Sequence, residues 1–165
     1  MLFTESEEWI KKLTSEEIKA IEKYAYNPGD EKPNRFFERL NAMLRGEREP
    51  EEKIMKYAEV ISEAIRKNKL THDIIVYRGV WTDVTAGVSV GSVFKWNQFT
   101  STSVLPEAAF DKPFKLIIYV RRGANAAYIE KLSKFPKQKE LLLDRSCMYR
   151  LLSKKGNVAE LEVVL

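Results

Sequence analysis

The chain has 165 residues, enough for one domain with a proper hydrophobic core. Its 44% apolar and 32% charged residues are typical of a soluble globular protein, and its longest apolar run, residues 116–120, is far too short to span a membrane. One cysteine, Cys147, and one histidine, His72, exclude an internal disulfide and a Cys-rich metal site, so we expect no bound metal. Cys147 is expected to be a buried structural thiol, and the loop position predicted for His72 disfavours Cys–His or Ser–His catalysis.

The net charge of +4 is unevenly distributed along the chain. Residues 1–75 contain 14 Lys and Arg against 16 Asp and Glu, whereas residues 76–165 contain 14 against 8. A positive second half suits an anionic ligand such as a nucleotide. The excess is too small and too scattered to indicate nucleic-acid binding.

The first 70 residues are predicted to be helical. Apolar residues recur at helical spacing in four segments, residues 5–12, 14–24, 34–45 and 50–69. Thr14 followed three residues later by Glu17 is a capping box at the start of the second helix, and Gly46 is a natural stop for the third. Asn41 and Arg45 are four residues apart and share one face of that helix; a surface pair near the helix end is the alternative.

From residue 72 onward, β-branched and apolar runs between turns predict about seven short strands, over residues 74–77, 93–99, 114–120, 124–129, 140–143, 148–153 and 159–165. Helices followed by strands predict an α+β fold rather than alternating βαβ units. We therefore predict a single domain over residues 1–165, with a helical part (1–70) and a β-rich part (71–165). Neither a GxGxxG nor a GxxxxGK[ST] fingerprint is present, so a nucleotide would not be bound in the Rossmann or P-loop manner.

Three polar motifs lie at the ends of predicted strands. Arg78 and Gly79 end the first strand, Thr-Ser-Thr-Ser over residues 100–103 follows the second, and Gln138 and Glu140 stand at the mouth of the strand over 140–143. In an extended chain, Gln138 and Glu140 would point to one face and Lys139 to the other. Such a pair taken alone also fits a solvated strand end.

The order Arg, Ser-Thr-Ser, Gln-x-Glu resembles the signature of the toxin-type mono-ADP-ribosyltransferases, and most closely that of the C3-like exoenzymes that modify Rho-type GTPases. Further stretches are similar to that family, namely residues 41–46 with the pattern Asn-x-x-Leu-Arg, the loop 109–113, the strand 123–129 and the loop 135–144. The resemblance covers nearly the whole chain. It implies N-terminal helices packed on a mixed or antiparallel two-sheet β core.

The resemblance implies an enzyme that cleaves NAD, its co-substrate, and transfers ADP-ribose to a protein side chain, with NAD hydrolysis as a side activity. Glu140 would stabilise the positive charge that develops on the ribose, and Ser101 would orient Glu140 or the nicotinamide ribose. The residues implied in NAD binding are Asn41, Arg45, Arg78, Gly79, Ser101, Phe110 and Glu140.

Gln138 and Phe135 are the residues implied in recognising the protein substrate. A neutral amide can pair with another amide in both directions, so Gln138 favours an Asn acceptor on a Rho-type GTPase, whereas arginine-modifying relatives carry Glu at this position. Phe135 would be an exposed aromatic that docks on the target. Lys112 stands where the C3-like family has Arg, which alters any contact with phosphate because Lys lacks the planar fork of donors.

Two alternatives accompany this interpretation: an arginine-specific or phage-type transferase of the same fold with another target, and a non-catalytic NAD-binding or structural module. Toxins of this type are usually secreted, and no signal peptide is visible at the start of the sequence. We expect a monomer that is either secreted in mature form and active in a host-cell cytoplasm, or intracellular in a bacterium or phage system.

Overall fold

A computed structural model of the chain describes residues 2–26, 35–109, 111–133 and 139–165. Four helices fill the N-terminal part: α1 (Leu2–Ile10), α2 (Ser15–Ala25), α3 (Phe36–Leu44) and α4 (Glu52–Arg66). The capping box predicted for α2 is present, since the Glu17 backbone N–H donates to the Thr14 hydroxyl at 3.1 Å and the Thr14 N–H donates to the Glu17 carboxylate at 2.8 Å. Gly46 follows α3 with a φ of 80°, which is the left-handed conformation that ends a helix.

In the part of the chain that the structure describes, eight strands follow the helices. They are β1 (Ile74–Val80), β2 (Val93–Trp96), β3 (Thr100–Ser103), β4 (Phe114–Val120), β5 (Ala126–Tyr128), β6 (Glu140–Leu143), β7 (Cys147–Lys155) and β8 (Val158–Val164). The strand predicted over residues 93–99 is shorter in the structure. β2 ends at Trp96 and pairs with β7. The Thr-Ser-Thr-Ser segment is a separate strand, β3, which pairs with β6 instead.

Hydrogen bonds join the strands in the order β2-β7-β8-β4-β1-β3-β6-β5, and the helices are segregated ahead of them in sequence, which confirms the α+β class. The two sheets expected from the sequence are linked into this one order through β1. In the described residues, β1 pairs with β4 at seven positions but with β3 at the single pair Tyr77–Ser103. The β1–β3 junction is therefore narrow, and both halves of the sheet meet there.

The hydrophobic core consists of two clusters that share β6. Leu142 packs in the cluster beneath the helices, together with residues such as Trp9 and Ile61. Leu141 and Leu143 pack in the second cluster, which lies against β1, β4, β7 and β8. Because successive side chains of a strand point to opposite faces, β6 is buried on both sides. Its first residue, Glu140, therefore places a carboxylate at the edge of the core.

Candidate active site

Three neighbouring strands bring together the polar motifs found in the sequence. β1 carries Arg78 and Gly79, β3 carries Ser101, and β6 begins with Glu140. All four residues line a cleft of about 480 Å³ and a second, adjoining cleft of about 470 Å³. The structure thus brings the sequence-predicted Arg, Ser and Glu to one place, although they are far apart in the chain.

Arg78 is half-buried and is anchored to the neighbouring strand. Its Nη1 donates a hydrogen bond of 2.8 Å to the backbone carbonyl of Ser101. Burial lowers the pKa of the guanidinium, and the electrostatic influence of Tyr24 and Glu140 opposes that shift. A guanidinium stays protonated in a protein, so Arg78 is a fixed positive charge beside Glu140.

Glu140 is 7% exposed. Burial raises the pKa of its carboxyl group, while a hydrogen bond with the Ser101 hydroxyl and the charge of Arg78 act to lower that pKa. Burial prevails, so the carboxylate is held in a site that does not fully compensate its charge. Such a group would interact strongly with a cation brought next to it.

Tyr24 of α2 belongs to this site, although no motif in the sequence indicated it. Its hydroxyl accepts a hydrogen bond of 2.9 Å from Asn41 Nδ2 and also interacts with the Ser101 hydroxyl. Burial raises the pKa of Tyr24, which keeps the hydroxyl protonated and able to donate. In the sequence, Tyr24 lies beside the buried stripe of an amphipathic helix, where it resembles an ordinary core aromatic. Its one distinguishing feature is a hydroxyl group close to that stripe.

Asn41 and Arg45 lie on the wall of a third cleft, of about 570 Å³, which Arg78 also lines. Asn41 is buried, and its Oδ1 accepts a hydrogen bond of 3.1 Å from the Phe99 backbone N–H. Arg45 caps the end of α3, and its Nε donates to a Glu47 oxygen at 2.9 Å. The alternative of a surface Asn–Arg pair is therefore wrong, because Asn41 connects α3 to α2 and to the start of β3.

Gly79 allows the segment after β3 to pack against β1. A Cβ atom built at Gly79 would lie 2.7 Å from Lys112 Cγ and 2.9 Å from the Ala109 carbonyl oxygen, so a larger residue would push this segment away. Lys112 lines both smaller clefts, with its Nζ 5.1 Å from the centre of the Trp81 ring and 3.3 Å from Asp111 Oδ2. The Lys that replaces the expected Arg is thus held at the cleft by an aromatic face and a carboxylate.

The remaining motif residues have structural contacts or lie outside the described part of the chain. Thr102 Oγ1 donates to the Leu141 carbonyl at 2.7 Å, and Ser103 Oγ accepts from the Leu105 N–H at 3.0 Å. The other predicted site residues, Phe110, Phe135 and Gln138, lie outside the described residues.

The backbone before Glu140 differs from the expectation. Lys139 has a φ of 48°, which is left-handed rather than extended. The simple alternation of side chains assumed for residues 138–140 is therefore wrong at Lys139.

Other chemistries find little support in the described residues. Cys147 is half-buried, and burial raises the pKa of its thiol to about 12, which disfavours the reactive thiolate. Among residues 2–26, 35–109, 111–133 and 139–165, no group of three or more His, Cys, Asp or Glu side chains could hold a metal ion. None of the helices described there combines the length and the apolar character needed to cross a membrane.

Comparison with known proteins gives a match to one family and to one curated relative. The model of the family described as ADP-ribosyltransferase exoenzyme matches residues 4–162. The relative is the protein named NAD(+)--arginine ADP-ribosyltransferase EFV of Enterococcus faecalis, which is 31% identical over 157 residues. The match covers 88% of this chain but 30% of that protein, so the chain spans less than a third of the relative's length.

Solved structures share the fold. The C3 exoenzyme of Clostridium limosum has a TM-score of 0.83 at 22% identity, over 99% of this chain and 91% of that one. The structure of C3stau2 from S. aureus with NAD has a TM-score of 0.79 at 20% identity, over 99% of this chain and 94% of that one. At these identities the likeness establishes the arrangement of helices and strands.

Proposed function

The chain belongs to the ADP-ribosyltransferase exoenzyme family, whose members use NAD as co-substrate, and we propose that it cleaves NAD and transfers ADP-ribose to a protein side chain, releasing nicotinamide. The observation that carries this proposal is the convergence of Arg78, Ser101 and Glu140 on one cleft from three neighbouring strands. The order of these motifs in the sequence led to the same family.

Glu140 is the catalytic residue in this proposal. When the bond between nicotinamide and ribose breaks, nicotinamide leaves with the electron pair and the ribose becomes a cation of the oxocarbenium type. The buried carboxylate of Glu140 stabilises that cation, and its incomplete compensation by Ser101 and Arg78 leaves it free to do so. The acceptor side chain then attacks the anomeric carbon and loses a proton; attack by water gives simple hydrolysis of NAD.

Arg78 and Arg45 bind the pyrophosphate of NAD in this proposal. They line the same cleft, and a guanidinium can offer two parallel N–H donors to a phosphate group. Arg78 uses Nη1 for the Ser101 carbonyl, which fixes the guanidinium while its remaining donors stay available. Asn41 supports the site indirectly, because its amide is engaged with Tyr24 and Phe99.

The acceptor is proposed to be an Asn side chain of a Rho-type small GTPase. This proposal follows from Gln138, whose neutral amide pairs with another amide but cannot activate a guanidinium. Arginine is the second candidate, favoured by the name of the Enterococcus faecalis relative. In either case we propose that the enzyme acts as a secreted toxin on a protein of the host cell.

The test is an assay with NAD labelled on its adenosine part, incubated with the enzyme and a cell lysate. We expect the wild type to release nicotinamide and to label a protein band. Glu140→Gln should reduce both activities by about 100- to 1,000-fold, because the placed negative charge is lost. Glu63→Gln, at an exposed position of α4, is the matched control and should leave both unchanged.

The same assay decides the acceptor. Mass spectrometry of the labelled band should identify a modified Asn, and a modified Arg would establish the second candidate instead. A wild-type enzyme that releases no nicotinamide would contradict the proposed function, as would full activity of Glu140→Gln.

A further inference from the structure

A second buried carboxylate, Glu130, lies close to the start of β6. It is 6% exposed and begins a short 3₁₀ helix, Glu130–Leu132. Tyr128 Oη donates to one carboxylate oxygen at 2.6 Å, and Lys139 Nζ donates to the other at 2.6 Å. Each oxygen thus has a strong donor, as a buried carboxylate requires.

Lys139, the partner of Glu130, has an unusual backbone. Its φ of 48° is left-handed, a backbone conformation that residues other than Gly, Asn and Asp rarely adopt. The Lys139 carbonyl accepts a hydrogen bond of 3.1 Å from the Val104 N–H, and the Glu140 carbonyl accepts one of 3.0 Å from the Ile129 N–H. The backbone turn immediately before Glu140 is therefore held at the two carbonyls and at the Lys139 side chain.

We propose that Glu130 is a positioning residue: together with Tyr128 it holds Lys139 in the left-handed conformation, and this sets the direction in which Glu140 enters the cleft. This inference rests on the proposed function, since it assigns a role toward Glu140. Glu130 and Tyr128 act through Lys139, because the cleft-lining residues of the described chain include Glu140 but neither of these two.

The contact has a second consequence for the cleft. Lys139 adjoins Glu140 in sequence, and a free ammonium group there would repel the cation that forms on the ribose. The bond to Glu130 keeps the ammonium group away from the carboxylate of Glu140. Since 40% of the Lys139 side chain is exposed, solvent screens the ion pair, and the main effect is expected on geometry.

The test measures the kinetics of NAD hydrolysis, without a protein substrate, for variants of Glu130 and Lys139. Glu130→Gln keeps the shape of the side chain but loses the charge that holds Lys139. We expect kcat to fall about tenfold with KM for NAD within about twofold, because the nucleotide still binds while the catalytic group is misplaced. Thermal unfolding of each variant checks that it is folded at the assay temperature.

The decisive comparison adds a second substitution to Glu130→Gln. Lys139→Gly should restore most of kcat, because glycine adopts a positive φ without strain. Lys139→Val removes the same ammonium group but disfavours positive φ, so it should restore nothing. Because valine at a positive φ also costs stability, kcat of the two double variants is compared at a temperature at which thermal unfolding shows both to be folded, so that the difference reports the geometry of the site.

The outcomes separate this inference from the proposed function. Wild-type activity with an unchanged kcat in Glu130→Gln, or equal kcat in the Gly and Val double variants, overturns the positioning role. Absence of NAD hydrolysis by the wild type refutes the proposed function instead. If Glu130→Gln does not fold, Tyr128→Phe, which removes one donor to the Glu130 carboxylate, takes its place, and an unchanged kcat in that variant overturns the inference.

Discussion

Two regions of the molecule each contain one buried glutamate, and the environments of these residues are opposite. In the anchor, formed by Tyr128, Glu130 and Lys139, burial acts to raise the pKa of Glu130, but the bonds from Lys139 and Tyr128 prevail and lower it. In the cleft, burial raises the pKa of Glu140, and Ser101 and Arg78 offset only part of that shift.

The difference shows how burial can serve two purposes. Glu130 has its charge satisfied within the protein, so it holds structure in place. The negative charge of Glu140 is only partly compensated by its neighbours, and a ribose cation would compensate it further during NAD cleavage. Two residues of the same type with similarly small exposed fractions therefore do different work, because Glu140 lies deeper among the surrounding atoms and Glu130 has a cation bonded directly to its carboxylate.

The anchor can be broken with Lys139→Met, which keeps an aliphatic chain and removes the ammonium group. Glu130 then stays buried without its cation, and we expect the free energy of unfolding at pH 7 to fall by about 2 kcal/mol, less than for a fully buried pair because Lys139 is partly exposed. Urea unfolding measures the change. Lys56→Met, at an exposed position of α4, is the control and should have little effect.

The pH dependence of this variant has a definite sign. Because the folded-state pKa of Glu130 is lowered, its stabilising contribution is present above the ordinary pKa of a glutamate and is lost as the pH falls through the folded value. The difference between wild type and Lys139→Met should therefore shrink from pH 7 to pH 3. An equal difference at both pH values would rule out the ion pair as its cause.

The cleft can be weakened with Tyr24→Phe, which retains the ring but removes the hydroxyl that contacts Asn41 and Ser101. Losing a hydrogen bond of about 1 kcal/mol should lower kcat for NAD hydrolysis by about fivefold to tenfold. Ser101 then supports the Glu140 carboxylate less well, so the acidic limb of the pH–rate profile should move to higher pH. A profile unchanged in position would show that Tyr24 does not act through Ser101.

Tyr119→Phe is the matched control for that substitution. Tyr119 lies on β4, outside the three clefts, and its hydroxyl donates to Glu160 of β8 at 3.2 Å, so its removal should leave the pH–rate profile in place.

The smallest expected effect is on the free energy of unfolding of a Glu140 variant, and its sign is opposite to that expected for Lys139→Met. Because the folded-state pKa of Glu140 is raised, stability is lost as the pH rises from the ordinary pKa of a glutamate to the raised folded value. Glu140→Gln removes this cost and should raise the free energy of unfolding by up to about 1 kcal/mol at pH 8, with little change at pH 4. Thermal unfolding at both pH values measures it. A lower melting temperature at pH 8 would contradict the assignment of Glu140 as the under-compensated carboxylate.

Much of the cleft could be predicted from the sequence because its residues occur in short, ordered motifs. The three motifs were predicted at strand ends; the structure places Arg78 within β1, Ser101 within β3 and Glu140 at the start of β6, and these strands lie side by side. β4 was predicted with its observed limits, since the apolar run over residues 116–120, flanked by turns, is typical of a strand.

The anchor and Tyr24 could not be predicted in this way. α2 packs against α3 and α4, and from there Tyr24 reaches Phe99 and Ser101, a contact that no local pattern records. Glu130 and Lys139 look like two solvated charges in the sequence, and the left-handed turn at Lys139 breaks the alternation rule on which the strand argument rested. Such features depend on tertiary contacts that override local preference.

The position of β8 in the sheet has a consequence for the order in which the chain folds. β8 lies inside the sheet, between β7 and β4, and its pairing with β4 is parallel, whereas the other ladders among the described residues are antiparallel. The β7–β8 hairpin can form locally, but β4 gains its second neighbour only when that hairpin docks against it. Non-local pairing of this kind is slow because a long loop must close first. A chain shortened before Val158 would therefore lack β8, and one edge of β4 would be left unpaired. β4 is the strand that pairs with β1 and so supports Arg78.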